Sequence, residues 1–389
     1  MPVKIDDLLK IAASHGASDL HVKAGALPFI RLGGELRPIV DAGRMSPEDT
    51  LDMAFSMMSN RQKQRFKEVC EVDIAYGVSG LGRFRANIFQ QRGTVGMVLR
   101  VIPDKVRSTF ELGLPPVLEK IAEERRGLIL VTGSTGSGKS TTLASMIDRI
   151  NATRSGHMVT IEDPIEFLHR DKKSFITQRE VDVDTRSFAE ALRGALRQDP
   201  DVILVGEMRD YETIETALTA AETGHLVLST LHTLDATETV MRIVSSVPSQ
   251  LQKSTRLQLA GILKAVISMR LVRAASGRGR VPAVEVMIST GLIRDYIVNE
   301  EKTYMIREAI AAGHSQYGMQ TFDQSLFNLF QSGLITLDEA YRNATNADEF
   351  RMRASGILSA EQAVKDIDRI GHVSNAPAQS RPELKEVKA

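Results

Sequence analysis

The chain has 389 residues, of which 42% are apolar and 25% are charged, and this length allows roughly two or three domains. Its 49 lysine and arginine residues balance 49 aspartate and glutamate residues, which argues against a protein that binds nucleic acid through a basic surplus. Cys70 is the single cysteine, which excludes an intramolecular disulfide or a multi-cysteine zinc site and fits a reducing compartment. No uncharged apolar run is long enough to span a bilayer, and residues 1–10 lack the apolar core of a signal peptide, so we expect any membrane contact to be peripheral.

Residues 1–102 have the pattern of a small α+β domain. Apolar residues in Ile5–Ser14 recur at helical spacing, and Gly33-Gly34 separates two apolar stretches in the way of a hairpin. Ser46, followed by a proline and two acids, is typical of a helix start. Apolar and polar residues alternate through Glu71–Val101, which predicts a meander of strands.

The rest of the chain has a different pattern of apolar and polar residues. Residues 103–116 predict a linker, and residues 117–280 predict an α/β domain with a doubly wound parallel sheet, because short apolar runs alternate there with helical segments. The four runs are Leu128–Thr132, Met158–Ile161, Val202–Val205 and Leu226–Thr230. We expect residues 281–355 to be mostly helical and residues 356–389 to form a partly disordered tail, since the tail has little apolar surface to bury.

The first apolar run leads into the sequence GSTGSGKS at residues 133–140. It matches G-x-x-x-x-G-K-[ST] between a predicted strand and a predicted helix, a context that disfavours a chance glycine-rich turn. In such loops backbone N–H groups face phosphate oxygens, Lys139 would reach the β- and γ-phosphates, and Ser140 would ligate Mg²⁺. The predicted nucleotide-binding residues here are Gly133, Ser134, Thr135, Gly136, Ser137, Gly138, Lys139, Ser140 and Thr141.

Carboxylates follow the second and third runs, at the strand ends where parallel sheets bind their ligands. Glu207 is predicted to face the metal, and Glu166 is predicted to be the general base, because Pro164 breaks the strand and can turn the later acid back over the site. Glu162 and Asp163 are predicted to ligate the metal or to support its ligands. For each acid the alternative is a helix cap or a solvent-exposed group.

Two histidines, His225 and His232, bracket the fourth run. Sensing of the γ-phosphate and hydrogen bonding at the strand ends are both open interpretations. Joint coordination of one metal is disfavoured, because a strand of this length would separate the two side chains by more than ~20 Å.

Arginines are concentrated in the predicted meander of the first domain. Arg83 and Arg85 share one sheet face by their spacing, and Arg92 and Arg100 follow in the same meander. One interpretation is a solvated face. The other is that Arg83, Arg85 and Arg100 act as arginine fingers on the nucleotide of a neighbouring subunit, since a planar guanidinium suits phosphate charge.

Four stretches together resemble the secretion ATPase superfamily, in the order of its Walker A motif, Asp box, Walker B motif and His box. These stretches are GSTGSGKS, TIEDPIEF (160–167), RQDPDVILVGEMRD (197–210) and TGHLVLSTLHT (223–233). Three more resemble the type IV pilus retraction ATPases, the PilT/PilU twitching-motility group: SDLHVKAG (18–25), GRFRANIFQQRG (82–93) and YGMQTFDQSL (317–326). The resemblance covers about residues 5–355.

This resemblance implies a PAS-like N-terminal domain, a RecA-like ATPase domain and a hexameric ring that uses ATP and Mg²⁺ to drive pilus retraction. It implies Glu166 as the catalytic glutamate, Glu207 as the Walker B acid, and His225 and His232 as the His box. The implied partners are further copies of the chain, an inner-membrane platform protein, the pilus machinery and other pilus ATPases. The implied location is the cytoplasm, peripherally at the inner membrane below the pilus, with no nucleic acid partner.

One stretch departs from the family pattern. Retraction ATPases commonly carry an AIRNLIRE-like motif after the core, and the aligned stretch here, Leu292–Asn299, matches it only at Ile293, Arg294 and Ile297. This leaves open whether the chain is a principal retraction motor or an accessory ATPase of PilU type. A pilus-assembly or type II secretion ATPase is disfavoured, because those relatives carry a longer N-terminal region and usually a four-cysteine zinc element.

Functions outside this family are also disfavoured by the residues. A GTPase would need the guanine-reading motif N-K-x-D, which the sequence lacks, and no acceptor domain of a small-molecule kinase is evident. The neutral composition counts against a DNA translocase. A ring that binds nucleotide without hydrolysing it is disfavoured because Lys139, Glu166 and Glu207 are all present.

Overall fold

The computed structural model describes residues 3–102, 106–354 and 356. They form two compact units, the first from the residues up to 106 together with residues 163–169, and the second from residues 107–162 and the residues from 170 onward. Part of the predicted linker, residues 103–105, and nearly all of the predicted tail lie outside the described residues.

The first unit combines three α-helices with one antiparallel sheet. Its elements are α1 (Ile5–Ser14), β1 (Asp19–Lys23), β2 (Phe29–Leu32), β3 (Glu35–Pro38), a 3₁₀ turn (Val40–Ala42), α2 (Pro47–Met57), α3 (Asn60–Val69), β4 (Glu71–Val78), β5 (Gly82–Gln91) and β6 (Thr94–Ile102). The six strands lie in the order β3-β2-β1-β6-β5-β4. The predicted hairpin at Gly33-Gly34 and the predicted meander are both confirmed.

Local sequence signals fix these elements. The Ser46 hydroxyl accepts a hydrogen bond from the Asp49 N–H at 3.1 Å, and the Asp49 carboxylate accepts one from the Ser46 N–H at 2.8 Å, so the predicted start of α2 is a capping box. Helix α1 buries Ile5, Leu8 and Leu9, which recur at the predicted spacing and belong to the unit's core.

The second unit is built on one larger sheet. Its elements are α4 (Val117–Ala122), β7 (Gly127–Thr132), α5 (Lys139–Thr153), β8 (His157–Glu162), β9 (Phe175–Glu180), α6 (Phe188–Ala195), β10 (Val202–Val205), α7 (Tyr211–Glu222), β11 (Leu226–Leu231), α8 (Ala236–Ser245), α9 (Gln252–Ile262), β12 (Leu263–Arg273), β13 (Arg280–Ile288), α10 (Gly291–Val298), α11 (Ile306–Ala312), α12 (His314–Tyr317), α13 (Phe322–Gln331), α14 (Leu337–Asn343) and α15 (Ala347–Ala354), with 3₁₀ segments at Ser249–Leu251 and Glu300–Met305. The seven strands lie in the order β13-β12-β7-β11-β10-β8-β9.

The four apolar runs form the middle of this sheet as β7, β8, β10 and β11, and the predicted doubly wound fold is confirmed. Every residue of β7, β10 and β11 is buried, because helices α6–α11 cover one face and helices α4 and α5 cover the other. Val205 pairs with Ile161 and Ser229, and Leu231 pairs with Thr132, so the carboxyl ends of all four strands reach one edge.

The sheet is wider than the sequence predicted. β12 runs parallel to β7 and turns into the antiparallel β13, so residues 281–288 of the region predicted to be mostly helical are strand, and helices follow from Gly291. β13 contains Pro282 and Glu285, which depart from an apolar strand pattern, and the proline is accommodated because β13 is an edge strand. β9 forms the other edge; Glu180 is its one buried residue, and the strand carries little apolar signal.

Candidate nucleotide-binding site

The loop between β7 and α5 is shaped by glycines. Gly133 has φ +139°, and a Cβ there would lie 2.4 Å from the Met269 carbonyl oxygen and 2.6 Å from Ser137 Oγ. Gly138 has φ +98° and caps the start of α5. The backbone can therefore curl tightly at both ends of the loop only because no side chain is present there.

Lys139 is buried at the start of α5. Its ammonium nitrogen donates hydrogen bonds to the carbonyl oxygens of Gly133 at 2.9 Å and Ser134 at 3.0 Å, which places the positive charge inside the curl. The first turn of α5 carries no acidic side chain, so the positive end of the helix dipole adds to that charge. The arrangement is suited to binding a phosphate group.

Strand β12 supports the strand before the loop and the helix after it. The Thr132 hydroxyl donates to Ser268 Oγ at 2.9 Å, and the Thr142 hydroxyl donates to Met269 Sδ at 2.9 Å. Sequence reasoning missed Ser268 and Met269, because nothing local in the chain indicates that β12 lies beside β7.

Glu207 follows β10 and lies close to His232, which follows β11. Glu207 Oε2 is 3.6 Å from His232 Nε2, while Glu207 Oε1 is 2.7 Å from Nε of Arg209. The turn is held in place because the Thr230 hydroxyl donates to the Gly206 carbonyl oxygen at 2.7 Å. The structure thus brings together an acid and a histidine that the sequence placed at neighbouring strand ends, and it adds Arg209, which the sequence analysis had not singled out.

The other predicted acids lie in different surroundings. Glu162 ends β8 and accepts hydrogen bonds from the Thr160 hydroxyl at 2.6 Å and the Gln178 amide at 3.1 Å. Two strands lie between β8 and β7, the strand that leads into the phosphate-binding loop. Glu162 is therefore about 14 Å from β7, measured across the sheet. Asp163 and Glu166 lie in the 163–169 segment, which belongs to the first unit, and the Glu166 side chain is exposed.

No metal cage is evident in the described part of the chain. Within residues 3–102, 106–354 and 356, no three histidine, cysteine, aspartate or glutamate side chains are grouped so as to hold a metal ion. Mg²⁺ bound with a nucleotide does not need such a cage, because it takes ligands from phosphates and water and only one or two from the protein. The predicted metal set of Ser140, Glu207, Glu162 and Asp163 therefore stays a prediction.

The structure does not bring His225 to the loop. His225 immediately precedes β11, at the edge of the sheet opposite to His232. Its Nδ1–H donates to the Ala220 carbonyl oxygen at 2.9 Å, and its own carbonyl oxygen accepts from the Gly127 N–H at 2.9 Å. His225 thus links the end of α7 to the first residues of β7 and β11. Of the two interpretations of this histidine, hydrogen bonding at the strand ends is the one that these contacts match.

Three of the predicted arginines, Arg83, Arg85 and Arg100, lie on one face of the first unit's sheet. Arg85 and Arg100 are directly opposite each other on β5 and β6, and Arg83 faces Ile102. Arg100 Nε is 3.0 Å from Oδ1 of the buried Asp19, whereas Arg85 Nε is 4.0 Å from the nearest carboxylate oxygen of Asp73. Each of these two guanidinium groups therefore has a carboxylate of its own unit beside it, the closer one beside Arg100.

No helix among the described residues has the length and apolar character needed to cross a membrane.

Comparison with known proteins identifies the family. Residues 89–368 match the family described as "Type II/IV secretion system protein". The type IV pilus retraction ATPase PilT of Pseudomonas aeruginosa is 46% identical over 346 residues, covering 89% of this chain and 99% of that protein. The type IV pilus ATPase PilU of the same organism is 40% identical over 354 residues, covering 90% and 91%.

A solved structure agrees with these matches. The crystal structure of the pilus retraction motor PilT with bound ADP superposes with a TM-score of 0.83 at 48% identity, covering 89% of this chain and 98% of that one. The phosphate-binding loop, the RecA-like sheet and the family match together define a P-loop protein. The chain belongs to the type II/IV secretion system protein family, and the resemblance inferred from its motifs is confirmed.

Proposed function

We propose that this protein is an ATP-hydrolysing motor that drives the retraction of type IV pili. The observation that carries the proposal is the Lys139 loop set in the same sheet edge as the Glu207–His232 pair. The similarity to the retraction ATPase PilT supports the pilus as the object of the work, because it extends over 99% of that protein's length.

The residues of the loop fit a nucleotide with Mg²⁺. Gly133 lets the Met269 carbonyl oxygen and Ser137 approach the loop backbone closely, and Lys139 directs its charge into the curve of the loop. Ser140, at the start of α5, would hold the metal, and Glu207 would support it from the neighbouring strand end. Bound Mg²⁺ neutralises charge on the β- and γ-phosphates.

Glu166 is proposed as the general base that takes a proton from the attacking water. Its carboxylate is exposed and lies four residues past the end of β8, outside any strand or helix. Such a position leaves the side chain accessible to solvent, as a base that activates water requires.

The assembly is proposed to be a homohexamer in which arginines of one subunit serve the nucleotide of the next. Arg83, Arg85 and Arg100 would supply positive charge that the loop lacks, since Lys139 is its one basic side chain. The face on which Arg85 and Arg100 oppose each other supports this assignment. The same proposal makes the inner-membrane platform protein and the pilus machinery the partners, at the cytoplasmic face of the inner membrane.

An accessory role of PilU type is the second candidate. It is favoured by the Leu292–Asn299 stretch, which differs from the retraction motif at most positions, whereas the identity to PilU, 40%, is lower than the 46% to PilT. Expression in two Pseudomonas aeruginosa strains separates the candidates. A principal motor restores twitching to a strain without PilT, whereas an accessory ATPase restores it only to a strain without PilU.

The enzymatic proposal is tested by ATPase activity measured together with oligomer mass. We expect Glu207→Ala to assemble as the wild type does and to hydrolyse ATP at least about a hundredfold more slowly. Glu301→Ala, which removes an exposed glutamate from the same unit, is the matched control. Wild-type turnover in Glu207→Ala would exclude the proposed site.

A further inference from the structure

Four residues form a row across neighbouring strands at the nucleotide edge of the larger sheet. Leu231 pairs with Thr132, Thr132 pairs with Ser268, and Ser268 pairs with Glu285. Paired residues point to the same face of a sheet, so Glu285 shares its face with the two hydroxyl groups that support the loop. That face is covered by α8.

Glu285 reaches from β13 to the first residue of α8. Its side chain is 4% exposed, and Oε1 accepts a hydrogen bond from the backbone N–H of Ala236 at 2.9 Å. The first N–H groups of a helix have no partner within the helix, so Glu285 supplies one from a distant part of the chain. Asp235 caps the same turn, accepting from the Glu238 N–H at 2.8 Å.

The start of α8 is closely tied to His232. Residues 232–235 join β11 to α8, and the Thr233 hydroxyl of this connection is 2.7 Å from the Thr239 hydroxyl of α8. His232 is therefore fixed between a buried strand and the first turn of α8. A shift of that turn would move the imidazole away from Glu207, from which it is 3.6 Å distant.

We propose that Glu285 is a positioning residue for the nucleotide site, which holds the first turn of α8 and thereby keeps His232 beside Glu207. The inference rests on the proposed function in one respect, namely that His232 takes part in ATP hydrolysis.

The surroundings of Glu285 make the burial of its charged carboxylate unfavourable. Desolvation by burial raises its pKa to about 7, although the Ala236 N–H and the more distant Arg270 and Arg307 favour the charged form; Asp235 opposes it. Arg270 stacks on Phe322, with its guanidinium carbon 3.8 Å from the ring centroid, and Arg307 pairs with Asp323 at 2.8 Å. A buried carboxylate whose cationic neighbours are engaged elsewhere is destabilising compared with an apolar side chain of the same size.

Two variants of equal size isolate the hydrogen bond. Glu285→Gln keeps an acceptor oxygen for the Ala236 N–H, whereas Glu285→Met fills the same space without one. Ala236→Pro removes the donor from the other side, at the first helical position, where proline is tolerated. Glu301→Met, an exposed site, is the control.

The first measurement is hydrogen exchange of the peptide covering residues 232–240 in the full-length protein, which needs no catalysis. We expect exchange about fivefold faster in Glu285→Met and Ala236→Pro, as for the loss of a helix cap, and near wild type in Glu285→Gln and the control. Unchanged exchange in both Glu285→Met and Ala236→Pro would overturn the proposal.

The second measurement is a double-mutant cycle on ATP turnover. If Glu285 acts through His232, Glu285→Met lowers kcat about tenfold with little change in KM, and adding it to His232→Ala causes no further loss. If the two losses multiply, Glu285 does not act through His232 and the proposal is wrong. Wild-type turnover in His232→Ala would instead contradict the role of His232 in the proposed function, while the exchange measurement still decides whether Glu285 holds α8.

Discussion

The side-chain amide of Asn151, on α5, donates a hydrogen bond to the carbonyl oxygen of Arg170 at 2.8 Å. The amide oxygen of the same side chain accepts from the N–H groups of Lys172 at 3.1 Å and Ser174 at 3.3 Å. Asn151 is fully buried, so the chain returning from the 163–169 segment is fastened to the helix that begins at the phosphate-binding loop.

Asn151→Ala should lower the free energy of unfolding by about 2–4 kcal/mol, because it leaves buried polar groups without partners. Denaturant unfolding of the purified protein measures the change. Asn328→Ala, at an exposed asparagine, should stay within about 0.5 kcal/mol of the wild type. Equal stability of the two variants would show that the Asn151 contacts contribute nothing.

Lys139→Ala should abolish ATP hydrolysis and weaken nucleotide binding at least about a hundredfold, because it removes the charge directed into the loop. Titration with a fluorescent ATP analogue measures the affinity. Lys253→Ala removes an exposed lysine from α9 and should bind as the wild type does. Near-normal turnover in Lys139→Ala would exclude the loop as the phosphate site.

Glu166→Gln should bind ATP with wild-type affinity and hydrolyse it at least about a hundredfold more slowly, since the amide keeps the shape but cannot accept the proton. Binding and single-turnover hydrolysis are measured on the same preparation. A loss of ATP binding with unchanged turnover of bound ATP would show that Glu166 is a metal ligand or a structural residue and not the general base.

Mixed rings test whether the arginines act on a neighbouring subunit. A Lys139→Ala subunit keeps its arginines, and an Arg83→Ala/Arg85→Ala/Arg100→Ala subunit keeps its loop, so mixtures should regain part of the activity that each lacks alone. Because Arg100 neutralises the buried Asp19, an Arg83→Ala/Arg85→Ala subunit is the companion that spares this pair. Full activity of the triple variant alone, or mixed rings without any rescue, would rule out action in trans.

Glu285 should make stability depend on pH in a definite direction. Its pKa is raised by burial from 4.5 to about 7, so between these values the folded protein binds more protons than the unfolded chain and stability falls as the pH rises. Glu285→Gln, which cannot ionise, should be close to the wild type at pH 5 and more stable by about 3 kcal/mol at pH 8. Denaturant midpoints across this range measure the difference, and parallel curves for the two proteins would contradict the raised pKa.

Much of the second unit could be predicted because its signals are local. A buried parallel strand shows as a continuous apolar run, and the phosphate-binding loop has its strand before it and its helix after it in the chain. The sequence placed His232 at the same strand edge as the acids, and the register of β11 with β7 agrees with this. It left the roles of the two histidines open, because a hydrogen bond such as that of His225 to Ala220 depends on the folded backbone.

The features that the sequence did not predict depend on contacts between distant residues. The Thr132–Ser268 bond joins residues 136 positions apart, and the bond from Ala236 to Glu285 spans 49. A glutamate in an apolar stretch is a poor strand signal, so β13 could be found only from its pairing with β12. For the same reason, no local pattern indicates that residues 163–169 belong to the first unit.

Because residues 163–169 belong to the first unit, no single cut in the chain separates the two units. A fragment starting at residue 107 would contain the phosphate-binding loop, Glu207 and His232, but its 163–169 stretch would lack the unit to which it belongs. A fragment ending at residue 106 would lack the same stretch. The two units are interleaved along the polypeptide, so neither corresponds to one continuous piece of it.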